Sequence, residues 1–103
     1  MICVIATIEV APGRRGEFLS EFAKVVPKVL AEAGCLEYGP MVDLPTNIEA
    51  QPPARDDVVT VVDKWESLDA LEAHLSAPHM LEYRKAVKEL VVRASLQVLE
   101  PAQ

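Results

Sequence analysis

Two side chains in this sequence ordinarily titrate near neutrality, His74 and His79, and they flank Ala77-Pro78. An imidazole with an unperturbed pKa of ~6.5 can take a proton from a substrate and return it. His74 is therefore the candidate general base, and His79 a candidate substrate contact. Each has a plainer alternative. His74 would sit favourably against the C-terminal end of a helix, and His79 would bond backbone groups at a helix start. With no Cys or carboxylate at ligand spacing, the pair gives no sign of a metal site. Trp65, Tyr38 and Tyr83 offer ring faces and polar tips to an aromatic ligand, or else pack as core and cross-strand residues. Arg84 could neutralise a substrate anion or lie solvated on a helix. Thr7 is placed to reach a cavity between sheet and helices. Cys3 and Cys35 lack a basic neighbour that would activate a thiol and read as small apolar groups. The chain has no glycine-rich phosphate loop, no Gly-x-Ser-x-Gly and no paired-carboxylate pattern.

These residues must be held by regular elements, and the periodicity says which. Residues 2–10 are β-branched and apolar on both parities until Glu9, which predicts a strand stopped by Ala11-Pro12-Gly13. From Arg14 the period becomes helical. Phe18, Phe22, Val25, Val26, Val29, Leu30 and Ala33 form one stripe, with Pro27 predicting a kink and Gly34 a stop. Residues 35–44 predict a second strand interrupted by Gly39-Pro40, which an edge or bulge would tolerate. Residues 45–57, rich in proline and without apolar period, predict a long loop, and 58–65 a third strand. Ser67 caps a short helix marked by Leu68, Leu71 and Leu75. Pro78 opens another, with a stripe of Met80, Tyr83, Val87, Leu90 and Val91. Residues 96–100 predict the last strand.

The order β-α-β-β-α(α)-β fits one α+β domain of the ferredoxin-like split β-α-β type, an antiparallel sheet with helices on one face, over residues 1–103. A chain of this length can hold a core without metal or disulfide staples. Strands one and three look apolar on both faces, yet helices cover only one. A second copy of the chain, sheet against sheet, is the simplest cover, so a homodimer is expected. Ten Lys and Arg against sixteen Asp and Glu give a net charge of −6, which argues against a nucleic-acid partner. No apolar run approaches the ~20 residues of a membrane span, and the N-terminus lacks a basic leader. With two unpaired cysteines, the expectation is a cytoplasmic protein.

The segments Val10-Ala11-Pro12-Gly13, Gly34-Cys35-Leu36-Glu37-Tyr38 and Trp65-Glu66-Ser67-Leu68 through His74 to Pro78-His79 resemble the antibiotic biosynthesis monooxygenase domain family. The likeness is greatest to its small bacterial quinol monooxygenase-like members and spans essentially the whole chain. The resemblance implies a dimeric ferredoxin-like α/β-barrel. It also implies oxygenation of a small quinol or polycyclic phenol by O₂ with no metal, flavin or haem cofactor. Such chemistry needs an apolar pocket for a flat ring and one base for a phenolic proton. His74 would be that base, with Trp65, Tyr38, Tyr83, His79, Thr7 and Arg84 around the substrate. The family also contains haem-degrading enzymes with an Asn on the first strand and a Trp on a later helix. Thr7 and His74 stand near those places, which disfavours that branch. The family is functionally mixed, and fold does not fix chemistry. An isomerase or proton-transfer enzyme on a small carbonyl metabolite, or a non-catalytic dimer binding aromatic ligands, are the alternatives.

Overall fold

The computed structural model describes residues 1–103. Strand β1 (Ile2–Val10) lies inside the sheet, between β3 (Val58–Trp65) and β4 (Val91–Leu99), with β2 (Cys35–Met41) outside β3. All three pairings are antiparallel. Alternation decides which residues meet the helices: Val4, Ile8 and Val10 of β1 and Val59, Val61, Asp63 and Trp65 of β3 are buried on one face. Helix α1 (Arg15–Leu30) lays Phe18, Phe22, Val25 and Val29 on that face. Leu71 of α2 (Leu68–Leu75) and Met80 and Val87 of α3 (Pro78–Val87) complete two adjoining cores. This is the ferredoxin-like α+β arrangement that the element order predicts.

The expected boundaries hold for β1 and β3, and those of α1, β2, α3 and β4 shift. α1 runs unbroken through Pro27, which near the end of the helix deprives only the Ala23 carbonyl of its intrahelical partner. The helix ends at Leu30, before Gly34. β2 ends at Met41 instead of Leu44, and it is an edge strand, so Pro40 leaves no ladder partner wanting. β4 begins at Val91, not Leu96: α3 stops at Val87, a turn closes with Leu90 N–H on the Val87 carbonyl, and Val91 pairs with Val10. β4 is exposed along nearly all its length, and an exposed edge strand carries little of the apolar alternation that betrays a buried one.

Ser67 caps α2 by accepting the Ala70 N–H at 3.2 Å, and Pro78 opens α3. Residues 42–57 form the expected loop, closed at its base by Arg55, whose guanidinium grips both carboxylate oxygens of Asp43 at 2.8 and 3.0 Å. Gln51 ties the loop internally to the Leu44 carbonyl. The sheet face away from the helices carries Ile5, Thr7, Val58, Thr60 and Val62, all half-buried. β3 thus alternates buried with half-buried residues, more clearly one-sided than its composition predicts. No helix is long and apolar enough to cross a membrane.

Candidate active site

Between the sheet and helices α2 and α3 lies a cavity of about 440 Å³, and 14 of its 19 lining residues are hydrophobic. Alternation along β1 and β4 supplies the floor: Val4, Ala6 and Ile8 face the same side as their register neighbours Leu96 and Ala94. Phe22 from α1, Tyr38 from β2 and Tyr83 from α3 form an aromatic wall. Phe22 stacks on Tyr38 with ring centres 5.4 Å apart and an interplanar angle of 13°, and Tyr83 meets Phe22 edge-on at 5.6 Å. Tyr38 in turn meets the His74 ring at 5.4 Å, and His74 lies against Trp65 at 4.6 Å. The rings form one continuous chain, with the imidazole inside it.

His74 is 3 % exposed, far more buried than a helix-end histidine needs to be. Its Nδ1 lies 2.9 Å from Oε2 of Glu32, in the turn after α1. An ionised carboxylate only accepts, so Nδ1 carries the hydrogen, and in the neutral imidazole Nε2 then holds the lone pair. Nε2 has no protein partner and is not sealed off, so it opens to the cavity that the ring lines. Fixing one imidazole nitrogen on a carboxylate to present the other as a base is the basic geometry of histidine general-base catalysis.

A second acid stands close by. Asp63 lies on the helix face of β3 and is 3 % exposed; its Oδ2 accepts the Trp65 indole N–H at 2.6 Å. Burial pushes its carboxyl above the usual range, opposed by that bond and by His74. Burial also pushes the Tyr38 and Tyr83 hydroxyls far above the ordinary phenol range. Both therefore stay protonated near neutrality and are donors to a ligand oxygen, not bases. Arg84 lines the cavity while donating to the Leu75 carbonyl at 2.7 Å, which ties α3 to the end of α2.

The site departs from expectation at three residues. Trp65 is fully buried and does not line the cavity; its ring lies against His74, so it backs the base. Thr7 lies on the opposite face of the sheet, in register with Thr60 and Ser95, because odd positions of β1 point away from the helices. His79 lies outside the cavity, in a groove with Lys24, Lys28 and Glu82, where its Nε2 reaches Glu32 Oε2 at 2.8 Å. Both cysteines are free, and burial pushes the Cys35 thiol up, consistent with an inert apolar role.

Residues 1–86 match the family described as antibiotic biosynthesis monooxygenase. The chain belongs to that family. Among curated proteins it is 45 % identical over 103 residues to the probable quinol monooxygenase YgiN of Escherichia coli K12, covering 98 % of each chain. Among solved structures it is similar to PA3566 of Pseudomonas aeruginosa, with a TM-score of 0.79 and 25 % identity over 99 % of this chain and 94 % of that one. Rv0793 of Mycobacterium tuberculosis is comparable, with a TM-score of 0.80 and 26 % identity over 99 % and 95 %.

For this monooxygenase-family chain, two site residues escape a reading of the sequence alone. Asp63 had a signal: it shares parity with Val59, Val61 and Trp65 in an otherwise apolar strand, and a carboxylate on a core face is an anomaly. Glu32 had none. It contacts His74 and His79 across 42 and 47 residues, and from its place beside a helix stripe it reads as a solvated charge.

Proposed function

We propose that the protein is a cofactor-independent monooxygenase that oxidises a small quinol or polycyclic phenol with O₂. The observation that carries this reading is His74, pinned through Nδ1 to Glu32 and open through Nε2 to an aromatic-walled cavity. A cavity of about 440 Å³ lies within the range of small-molecule sites and suits a two- or three-ring substrate. The phenolic O–H gives its proton to His74 Nε2, and Tyr38 and Tyr83 donate to ring oxygens. The resulting electron-rich anion reduces O₂; one oxygen atom enters the ring, the other leaves as water, and the substrate supplies the electrons. Family membership and the 45 % identity to a probable quinol monooxygenase support the same class.

The working unit in this proposal is a homodimer joined through the sheet face that carries Ile5, Val58 and Val62, which the chain itself leaves half-covered. The test of function is oxygen uptake by metal- and flavin-free protein with a panel of quinols and naphthols. Uptake above the autoxidation blank supports the proposal. Turnover of the same compounds that persists unchanged without O₂ refutes it in favour of simple proton transfer by the same histidine.

A further inference from the structure

Glu32 offers one oxygen atom, Oε2, to two imidazoles, His74 Nδ1 at 2.9 Å and His79 Nε2 at 2.8 Å. The two rings open to different places. His74 faces the inner cavity, whereas the side chain of His79 is 20 % exposed and sits in the outer groove between α1 and α3. A base set among apolar walls gains a positive charge when it takes a proton, and the one carboxylate bonded to His74 is shared with His79. From this geometry we infer that His79 balances the charge of His74, releasing a proton to solvent when His74 takes one, the two being coupled through the shared Glu32 carboxylate.

This inference rests on the proposed role of His74 as base. A positive charge on His79 alone would be matched by a negative charge on Glu32. When a substrate O–H bond breaks and an N–H bond forms at His74 Nε2, two imidazolium ions face one carboxylate oxygen from less than about 6 Å apart. The N–H bond at His79 Nδ1 then breaks to solvent, and the pair returns to one charge; His74 later gives its proton to the oxygen atom that leaves as water, and His79 takes one back from solvent. No proton has to cross Oε2. Other groups bear on this balance. Asp63 and Tyr38 flank His74 from the sheet, with Arg84 of α3 and Lys88 just after it lining the cavity. Around His79 the groove carries Glu21, Lys24 and Lys28 of α1 and Glu82 of α3. These are mixed in sign, and no salt bridge joins any of them to either ring; Glu32 is the one acid that contacts both.

The chain has only these two histidines, so their ring resonances can be followed by NMR across a pH titration of the full protein. In the wild type, the His79 signal should show a second inflection at the pH where His74 titrates. In His79→Gln the His74 midpoint should rise by about one pH unit, because it no longer shares its counter-ion with a second cation. In Glu32→Gln it should fall. A merely structural contact would not move it in opposite directions. If oxygen uptake is measurable, the acid limb of kcat/KM should follow the same two shifts. Independent single-step titrations in the wild type, or a His74 midpoint unmoved in His79→Gln, would overturn the coupling. A protein that shows coupled titration but no oxygen uptake would instead refute the oxygenase reading and leave the coupling standing.

Discussion

Gly34→Ala tests how the turn that carries Glu32 is held against the helix that carries His74. Gly34 has φ +82°, and a methyl added there would lie 2.7 Å from the Ala70 Cβ of α2. Two costs follow. A non-glycine residue in left-handed backbone costs roughly 1–2 kcal/mol. Two carbons at that distance, against the ordinary 3.5–4.0 Å, force the turn and α2 apart, and overpacking of this kind costs typically 1–3 kcal/mol. The sum is about 2–5 kcal/mol, a large part of the stability of a small domain. Urea unfolding at neutral pH reads it directly, and a drop in Tm of several degrees per kcal/mol should accompany it. Ala70→Gly separates the two contributions. Alone it should cost about 1 kcal/mol through helix propensity. Combined with Gly34→Ala it should return the steric part, so that the double variant is more stable than the sum of the single effects by about 1–3 kcal/mol. Simple additivity, or a Gly34→Ala protein within 0.5 kcal/mol of wild type by the same estimate, would refute the close-approach argument.

Four further outcomes are expected. His74→Ala should lower kcat for oxygen uptake by about 10²-fold or more, as read by an oxygen electrode; a full-speed variant rejects the base. Asp63→Asn should be relatively more stable as pH rises. The raised carboxyl binds extra protons only in the folded state, so wild-type stability falls with pH from the ordinary 3.8 upwards, and the asparagine variant lacks that slope in urea midpoints taken between pH 3 and 8. Arg55→Ala should behave oppositely: Arg55 holds the Asp43 carboxyl down at about 2, so its stabilising effect is present above 3.8 and fades as pH falls towards 2, checked by thermal melts across that range. Sedimentation equilibrium at micromolar concentration should give a dimer mass, and a stable monomer would remove the proposed sheet-to-sheet assembly.

Much of the fold is legible in residue order because its elements are amphipathic in ways that sequence spacing records. Phe18, Phe22, Val25 and Val29 repeat at helical intervals and are the residues α1 buries. Pro78 and Ser67 mark helix starts chemically. β4 resists such reading because its residues answer to pairing with β1 and not to burial. The site is legible in part for the same reason. His74, Tyr38 and Tyr83 announce themselves by type, and alternation would have turned Thr7 away from the cavity once the buried parity of β1 was fixed by Val4 and Ile8. What stays hidden is long-range company. No local pattern joins Glu32 to His74, or places the Trp65 indole on Asp63 behind the base.

The Asp43–Arg55 clasp isolates whatever lies between its jaws. None of residues 42–57 lines the cavity, and the paired guanidinium and carboxylate hold the two loop stems together at the point where they leave the sheet. The residues beyond the clasp are thus free to change in number: doubling a loop adds only about 0.6 kcal/mol of closure entropy. Around Asn47–Ala50 this chain should accept a fluorescent peptide, an affinity tag or a whole guest domain, while the distance between Glu32 and His74 remains what it is now.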